Sequence, residues 1–414
     1  MTQLYEMEQE QENVILVSVN VKEHVEAEES LDELEELVST AGANTVGRVI
    51  QNLEHVNQAT YVGKGKLEEI RMMIDALGAT GIVCDDELSP AQIKNLEDAL
   101  DTKIMDRTLI ILDIFAARAR TREGKIQVEL AQLKYRSSRL IGLRSSLSRL
   151  GGGIGTRGPG EKKLEIDRRL IRDRISQLSR ELAEVKKNRE VQRQLRSKQQ
   201  TPVICIAGYT NAGKSTLLNR LTKAGVLEED KLFATLDPTT RNLKLPKGQE
   251  ILLTDTVGFI RKLPHHLVEA FRSTLEEAKY SDLILHVVDC SNPQMDKQMA
   301  AVYDTFHQLK IEDKTVITVF NKVDRIDKEM LLKDPKADHV IRISAKEEIG
   351  LTELLELIEE VLMQRQVYIE KVYAYADASM IQLIRKYGQL LEEEYRGDGI
   401  FVRGYVPKEM ENQV

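Results

Sequence analysis

The sequence predicts an α/β protein in four parts: a small α/β unit in residues 1–107, a long antiparallel helical hairpin in 108–200, a larger α/β domain in 201–365 and a small α/β appendage in 366–414. Three observations support this architecture. Apolar runs of strand length alternate with helical patterns in the first and third parts, which favours mostly parallel sheets. Two long helical patterns lie between these parts, and a glycine-rich stretch separates the two helices.

The first part alternates between strand and helix patterns. Ser89 is a favourable N-cap for the helix predicted directly after it. The segment Tyr61–Lys66 is glycine-rich but has no Lys-Ser pair, so we interpret it as a turn, with a nucleotide site as the weaker alternative. The predicted strands are Val14–Val19, Gly47–Asn52, Tyr61–Val62, Gly81–Asp85 and Lys103–Asp106, and the predicted helices are Leu31–Thr40, Lys66–Leu77 and Pro90–Leu100.

The second part contains two helical patterns, Thr108–Leu150 and Lys163–Lys198, joined by GGGIGTRGPGE at Gly151–Glu161. Apolar side chains recur every seven residues in the second pattern, as in a coiled-coil seam. These residues are Leu164, Ile171, Leu178 and Val185. A loop joins the helices and the seam is short, so we expect them to pair as an antiparallel hairpin in a monomer. A dimerising coiled coil is the alternative.

Charge is strongly segregated along a chain whose formal net charge is −8. Residues 1–40 carry twelve Asp or Glu and one Lys, whereas residues 114–164 carry twelve Lys or Arg and three Glu. A cationic block on an acidic protein indicates a surface for phosphate backbones. We therefore expect the glycine-rich, cationic hairpin tip to contact RNA. The candidate RNA contacts are Arg149, Gly151, Gly152, Gly153, Arg157, Lys162 and Lys163.

The third part begins with an apolar run, residues 203–207, followed by GYTNAGKS at Gly208–Ser215 and then a helical pattern. This is the phosphate-binding motif G-x-x-x-x-G-K-[ST] in its strand–loop–helix context. Glycine allows the backbone to curve around a phosphate, and the amide groups and helix N-terminus favour an anion. We expect Lys214 to reach the β- and γ-phosphates and the Ser215 hydroxyl to bind Mg²⁺.

Two further segments of this part predict the contacts of a switch. Asp255 ends an apolar strand and begins DTVG, where a carboxylate can hold Mg²⁺ directly or through water. The backbone N–H of Gly258 can contact the γ-phosphate, a contact that exists with GTP and is lost with GDP. The segment FATLDPTTR, residues 233–241, should supply a threonine to the magnesium shell, and its spacing leaves Thr235, Thr239 and Thr240 open.

NKVD at Asn321–Asp324 follows another apolar strand and predicts the base specificity. The Asp324 carboxylate can accept two hydrogen bonds from guanine, whereas adenine has no such donor pair and would leave polar groups unsatisfied. We expect Asn321 and Lys322 to brace the base and its loop. SAK at Ser344–Lys346 follows a short strand and should close over the base. Together with the phosphate loop, these motifs predict a GTPase.

Two residues of the nucleotide segments predict how hydrolysis is controlled. Phe259 follows DTVG where Ras-like proteins have a glutamine that orients the attacking water. Phenylalanine cannot orient water, so we expect slow intrinsic hydrolysis and activation from elsewhere. Asn211 lies in the phosphate loop, where its side chain can ligate a monovalent cation such as K⁺. A loop-stabilising amide is the alternative for Asn211.

The composition is 42% hydrophobic and 30% charged, which is typical of a globular protein with much exposed helix. No apolar stretch reaches the ~18 residues needed to cross a bilayer, and the acidic start has no signal-peptide pattern. Cys84, Cys205 and Cys290 lie singly in apolar runs, as reduced core thiols do. We expect a cytoplasmic protein without integral membrane contact. In the fourth part, we predict strands Val367–Tyr375 and Gly399–Val406 around a helix, Ser379–Glu393.

The motifs together resemble the HflX family of ribosome-associated GTPases, of the TrmE–Era–Obg–HflX class. The resemblance covers nearly the whole chain, and its most specific parts are the hairpin-tip segment and FATLDPTTR. It implies that Thr235 is the magnesium-binding switch threonine and that Phe259 is the family's hydrophobic replacement for glutamine. It also implies binding to the large ribosomal subunit and its rRNA, splitting of stalled ribosomes and GTPase activation by the ribosome.

The resemblance implies GTP/GDP as ligands, Mg²⁺ as cofactor and partial association with ribosomes or the membrane surface; we expect no DNA partner. Two alternatives are an ATP-assisted RNA remodeller, which Asp324 disfavours, and a switch acting on a protein effector, which the basic hairpin disfavours. The predicted catalytic residues are Lys214, Thr235 and Gly258, and the predicted metal ligands are Ser215, Thr235 and Asp255. The predicted nucleotide contacts are Gly208, Tyr209, Thr210, Asn211, Ala212, Gly213, Lys214, Ser215, Phe233, Ala234, Thr235, Leu236, Asp237, Asp255, Thr256, Val257, Gly258, Asn321, Lys322, Val323, Asp324, Ser344, Ala345 and Lys346.

Overall fold

The computed structural model describes residues 11–21, 26–150, 159–197, 201–222, 232–233, 236, 239–262, 277–311, 313–327, 329–364 and 366–411. The chain divides into two compact units. The first comprises Met1–Ala183 and Lys262–Phe271, and the second comprises Glu184–Arg261 and Arg272–Val414. None of the described helices is both long and apolar enough to cross a membrane.

The first unit contains a four-stranded sheet in the order β2-β1-β3-β4, in which every pairing is parallel. Its elements are β1 (Asn13–Val21), α1 (Glu26–Ala41), β2 (Asn44–Leu53), α2 (Lys64–Leu77), β3 (Gly81–Cys84), α3 (Pro90–Leu100), β4 (Lys103–Asp106) and α4 (Arg107–Arg118). The predicted parallel α/β unit is thus confirmed. The predicted strand Tyr61–Val62 is wrong, because Tyr61 forms only an isolated bridge with Asn57 and its side chain is buried under the sheet.

A buried ionic network lies at the carboxyl end of β3. The Arg107 guanidinium pairs with Asp85 at 2.8 Å and also with Glu33. Lys262 Nζ lies 2.6 Å from Asp85 Oδ2 and 2.7 Å from Asp86 Oδ1. Burial opposes ionisation of Asp85, but the charges of Arg107 and Lys262 outweigh it and lower the pKa of this carboxyl group. Asp85 is therefore ionised in the folded protein at neutral pH.

The helical hairpin consists of α5 (Arg122–Leu150) and α6 (Pro159–Ser197). Ile126 and Leu130 of α5 pack against Leu178 and Leu182 of α6 in a common apolar cluster. A salt bridge of 2.8 Å joins Arg174 to Glu129 beside this seam. Only eight residues, 151–158, connect the two helices, which is too few to return to the start of a parallel neighbour, so the predicted antiparallel hairpin is confirmed.

Two predicted helix boundaries in this region are wrong. The single helix predicted over Thr108–Leu150 is divided into α4 and α5, because Ala119 is extended and the Thr121 hydroxyl accepts a hydrogen bond from Gly124 N–H at 2.9 Å. This bond caps the N-terminus of α5. Helix α6 begins at Pro159, inside the segment predicted as a loop, since proline is well suited to the first turn of a helix. Residues 151–158 lie outside the described residues.

The second unit contains a six-stranded sheet in the order β10-β9-β8-β5-β7-β6, which is parallel except for its edge strand β6. Its elements are β5 (Val203–Gly208), α7 (Lys214–Thr222), β6 (Thr239–Lys244), β7 (Glu250–Asp255), β8 (Leu283–Asp289), α8 (Met295–Gln308), β9 (Thr315–Asn321), β10 (His339–Arg342) and α9 (Leu351–Met363). Alternate residues of β8 enter one apolar core with α7 and α9, and the residues between them face α8. The carboxyl ends of β5, β7, β8 and β9 meet at one edge of the sheet.

The appendage is a three-stranded antiparallel sheet, β11-β13-β12, packed against one helix. Its elements are β11 (Gln366–Tyr373), α10 (Ala378–Tyr387), β12 (Gln389–Arg396) and β13 (Gly399–Pro407). The predicted helix end at Glu393 is wrong, because α10 ends at Tyr387 and the residues after Gly388 pair with β13. The chain passes from helix to strand at Gly388, where an added Cβ would lie only 2.1 Å from the Tyr405 carbonyl oxygen.

Candidate nucleotide-binding and catalytic site

The phosphate loop occupies residues 209–213, between the end of β5 and the start of α7. Its two glycines are required by close backbone contacts. A Cβ on Gly208 would lie 2.2 Å from the Val287 carbonyl oxygen, and one on Gly213 would lie 2.2 Å from Asn321 Nδ2. Gly213 and Asn211 both have positive φ values, 92° and 60°, a region that asparagine tolerates better than most residues. The sequence thus encodes the tight curvature of this loop.

Lys214 lies at the start of α7 with only 6% of its surface exposed. Its Nζ donates a 2.6 Å hydrogen bond to the Tyr209 carbonyl oxygen. Burial lowers the pKa of this amine to about 8, although the charge of Asp255 opposes the shift. The amine is therefore still mainly protonated at pH 7. A phosphate group brought to this position would favour the charged form further.

Gly258 lies directly beside that ammonium group. A Cβ on Gly258 would be 3.1 Å from Lys214 Nζ and 2.7 Å from Thr210 Cγ2. Any larger residue would therefore force the phosphate loop and the DTVG segment apart. This proximity brings together two of the three residues predicted to be catalytic. The third, Thr235, lies outside the described residues.

Two oxygen ligands lie side by side at the end of β7. Ser215 Oγ donates a 3.0 Å hydrogen bond to Asp255 Oδ2, and Asp255 is fully buried. Oxygen atoms are the ligands of Mg²⁺, which usually takes one or two protein groups and completes its shell with water and phosphate oxygens. The pair fits that requirement. No three His, Cys, Asp or Glu side chains in the described parts of the chain could hold a metal ion by themselves.

Asn321 connects the base end of the site to the phosphate loop. Its Nδ2 donates to the Ala212 carbonyl oxygen at 2.9 Å, and its Oδ1 accepts from the Ala345 N–H at 2.9 Å. The three predicted segments that meet here are thus held by one buried amide side chain. Lys322 has a left-handed backbone with φ of 66°, and its Nζ lies 2.7 Å from Asp289 Oδ2.

The Asp324 side chain is 23% exposed. A hydrogen bond with Ser344 is the main factor that lowers the pKa of its carboxyl group. The group is therefore ionised at neutral pH and can accept two hydrogen bonds. Because Ser344 belongs to the SAK segment, that loop orients the carboxylate. A base bound here would complete the burial of a group that is only partly covered by protein.

The DTVG segment and the residues that follow it pair with the phosphate loop. Phe259 N–H donates to the Gly208 carbonyl oxygen at 3.1 Å, and Thr210 N–H donates to the Phe259 carbonyl oxygen at 2.8 Å. The Phe259 side chain is 3% exposed, and its ring meets Phe306 edge-on at 5.8 Å between centroids. The phenyl ring is therefore packed in an aromatic cluster and offers no hydrogen-bonding group.

The remaining predicted contacts are placed as follows. Phe233 and Leu236 are buried, whereas Ala234 and Asp237 lie outside the described residues with Thr235. Thr240 shares a 3.0 Å hydrogen bond with Thr254 within the β6–β7 pair. Thr256 and Val257 are buried, Val323 is half-buried and Lys346 is exposed. At the hairpin tip, only the helical backbone of Arg149, Lys162 and Lys163 is described, and Gly151, Gly152, Gly153 and Arg157 lie outside the described residues.

Asp289 is a candidate site residue that the sequence analysis missed. It stands opposite Asn321 in the β8–β9 register and holds Lys322, while its other oxygen accepts hydrogen bonds from Ser291 N at 2.9 Å and Ser291 Oγ at 2.6 Å. One feature of the sequence could have indicated it, because Asp289 ends an apolar strand and is followed by Cys-Ser-Asn-Pro. Parallel strands place such residues at the same edge as the phosphate loop.

Comparisons with known proteins agree with this site. Three family models match consecutive stretches: GTP-binding GTPase N-terminal (residues 28–116), GTP-binding GTPase Middle Region (118–196) and 50S ribosome-binding GTPase (203–322). The GTPase HflX of Lacrimispora saccharolytica is 68% identical over 99% of this chain and 97% of its own length. The GTPase HflX of Caldanaerobacter subterraneus is 51% identical over 99% of this chain and 94% of its own length.

A crystal structure of a GTP-binding protein from Sulfolobus solfataricus in complex with GDP is 25% identical and has a TM-score of 0.45, covering 86% of this chain and 99% of that one. The sequence relatives span essentially the whole chain. The nucleotide motifs, the sheet edge that carries them and the family models point to one activity. The chain binds and hydrolyses GTP, has a ribosome-associated function and belongs to the HflX family of GTPases.

Proposed function

We propose that the protein binds the large ribosomal subunit and splits or rescues stalled ribosomes in a GTP-dependent manner. The observation that carries this proposal is the paired helical hairpin, α5 and α6, whose sequence concentrates positive charge towards a glycine-rich tip. At a rise of ~1.5 Å per residue, each arm is several tens of ångströms long. Such an arm can carry cationic and glycine backbone groups into a recessed RNA site.

In the nucleotide site, each residue has a proposed task. Lys214 and the amides of the phosphate loop bind the β- and γ-phosphates, and Gly258 N–H contacts the γ-phosphate. Ser215 and Asp255, with Thr235, would hold Mg²⁺, which when bound neutralises charge that develops on the phosphates. Asp324 recognises guanine, while Asn321 and Lys322 brace the base loop. Since Phe259 cannot orient water, we propose that contact with the ribosome supplies the missing activation.

Sedimentation with isolated ribosomal subunits tests the proposal directly. With a non-hydrolysable GTP analogue, the protein should sediment with the large subunit, and with GDP it should remain mostly in the supernatant. GTP hydrolysis should rise when large subunits are added. Release of subunits from assembled ribosomes, followed by light scattering, tests the splitting step. If the protein sediments with no ribosomal particle in the presence of either nucleotide, the proposal is wrong.

Reversing the tip charges should weaken ribosome binding while leaving nucleotide binding intact. The variant carries Glu at Arg149, Arg157, Lys162 and Lys163. Each phosphate contact that is lost should reduce the slope of log K against log salt by ~0.7–0.9. The measurement is subunit binding over a range of KCl concentrations, with GTP-analogue affinity measured in parallel.

The matched control reverses four exposed charges farther along the second helix. These are Arg172, Arg180, Lys186 and Lys187 of α6. Both variants change the net charge equally, so a general electrostatic effect would weaken both. If the tip variant and the control variant bind ribosomes with the same affinity and salt dependence, the tip is not the RNA contact.

We also propose that Asn211 ligates K⁺ close to the phosphates. Its backbone has a positive φ of 60°, and its side-chain carbonyl oxygen is a ligand of the kind that K⁺ binds. Hydrolysis in KCl should then exceed hydrolysis in NaCl at equal ionic strength, and Asn211→Ala should remove the difference. Equal rates in both salts would exclude this role. Lys244→Ala, an exposed change in β6 outside the FATLDPTTR segment, serves as the control.

A further inference from the structure

The Tyr209 side chain makes a contact that the phosphate-loop motif does not require. Tyr209 occupies a variable position of the loop, yet only 5% of its surface is exposed. Its hydroxyl oxygen accepts a 2.8 Å hydrogen bond from the backbone N–H of Arg261. A side chain of the loop thus holds the backbone three residues beyond Gly258.

This contact extends a series of backbone bonds along the same segment. The Ile206 carbonyl oxygen accepts from Thr256 N at 3.2 Å and from Thr256 Oγ1 at 2.8 Å. Phe259 then exchanges one hydrogen bond with Gly208 and one with Thr210, and Tyr209 and Phe259 form an isolated parallel bridge. The tyrosine hydroxyl continues this series two residues beyond Phe259, at the backbone N–H of Arg261.

The geometry makes Gly258 the residue whose position depends on these bonds. It lies between the Thr256 and Phe259 attachments, and an added Cβ would approach Lys214 Nζ to 3.1 Å. The glycine amide is therefore held next to the ammonium group that binds the γ-phosphate. Restraint on both sides of Gly258 reduces the conformational entropy that the segment must lose when the ligand binds.

We infer that Tyr209 is a positioning residue for GTP, because its hydroxyl fixes the segment that presents Gly258 to the γ-phosphate. The side chain touches neither the reacting atoms nor the base in this role. GDP has no γ-phosphate, so the hydroxyl should matter for GTP and not for GDP. The inference rests on the γ-phosphate role proposed above for Gly258, and the two can be tested separately.

The test is Tyr209→Phe, which deletes one hydroxyl and keeps the ring that fills the buried space. Affinities for GDP and for a non-hydrolysable GTP analogue are measured by titration of the full chain. A neutral hydrogen bond is worth about 1 kcal/mol net, so the analogue should bind about fivefold more weakly. The affinity for GDP should stay the same, and kcat/KM for GTP hydrolysis should fall by a similar factor.

Tyr303→Phe is the matched control, since it deletes a half-buried tyrosine hydroxyl in the same unit, where the hydroxyl donates to Asp334 Oδ2 at 2.6 Å. It should lower the unfolding temperature without changing the ratio of the two nucleotide affinities. Equal weakening of GDP and analogue by Tyr209→Phe would assign the hydroxyl a purely structural role and overturn the inference. Unchanged or tighter analogue binding would overturn it as well.

Amide hydrogen exchange at Gly258 separates the two hypotheses without a substitution at this glycine, which would displace the phosphate loop. If the analogue protects the Gly258 N–H and GDP does not, while Tyr209→Phe changes neither affinity, the proposed role of Gly258 stands and the inference about Tyr209 is wrong. If the analogue protects the Gly258 N–H selectively and Tyr209→Phe weakens only the analogue, both stand. If the two nucleotides protect the Gly258 N–H equally, the proposed role of Gly258 fails, and the inference that depends on it falls with it.

Discussion

Lys214→Ala should reduce GTP hydrolysis by a factor of ~10²–10³, since removing a group that stabilises the transition state in an active site typically costs ~3–4 kcal/mol. The amine is buried, and it lies beside Gly258 at the phosphate loop. Alanine is a good helix former, and α7 should retain its structure. The measurement is kcat/KM for GTP at pH 7, together with the affinity for GDP.

A matched control is Lys247→Ala. Lys247 lies in the turn between β6 and β7, at the opposite end of that hairpin from Asp255, and its side chain is 54% exposed. Its replacement should leave hydrolysis within twofold of the original protein, as is usual for exposed positions. Turnover by Lys214→Ala equal to that of the control would mean that another group binds the phosphates.

The pKa of Lys214 adds a pH test to this prediction. Burial disfavours the charged form of the Lys214 amine and lowers its pKa to about 8. Without nucleotide, the amine therefore loses its proton as the pH rises through about 8. Binding of a phosphate anion should therefore weaken above pH 8 and be accompanied by proton uptake. The affinity for GTP, measured from pH 7 to pH 9.5, should fall in the original protein and be much flatter in Lys214→Ala.

The nucleotide site was predictable from the sequence because its chemistry fixes both residue types and spacing. Gly208, Gly213 and Lys214 follow from the requirements of a loop that surrounds a phosphate, and the structure places them between β5 and α7. Asp255 and Asn321 follow apolar strands, and parallel strands bring their carboxyl ends to one edge. Periodicity also predicted the pairing of α5 with α6, since it fixes which face of a helix is apolar.

Contacts between distant segments were not predictable. No local pattern links Asp289 to Lys322, or Tyr209 to Arg261, because each pair depends on the strand order of the folded sheet. The surroundings of His286 were also not predictable. Burial lowers its pKa to about 4, and its ring lies 5.1 Å from that of Tyr303, whereas the sequence around it shows only the pattern of an apolar strand. The β12 strand was missed because Gln389–Arg396 has a composition that also suits a helix, and pairing with β13 decided its conformation.

Asp324→Asn should change the nucleotide preference from guanine to xanthine. The original carboxylate accepts two hydrogen bonds, from guanine N1–H and N2–H₂, and both are charge-assisted. An asparagine amide presents one donor and one acceptor, so its N–H group would oppose the amino group of guanine. The loss should be about 3 kcal/mol or more, which corresponds to ~100-fold weaker binding of GTP. Xanthine has a carbonyl oxygen at that position and should pair with the amide.

The structure makes this substitution a clean test of base recognition. The hydrogen bond with Ser344 lowers the pKa of Asp324, so the carboxylate is charged in the free protein, and the amide removes that charge with almost no change in shape. Asp327→Asn, an exposed position three residues further on, is the matched control and should change neither affinity. Titrations with GTP and XTP should show opposite shifts for Asp324→Asn alone. If GTP affinity were unchanged, or if GTP and XTP affinities fell equally, the carboxylate would not be the group that distinguishes guanine.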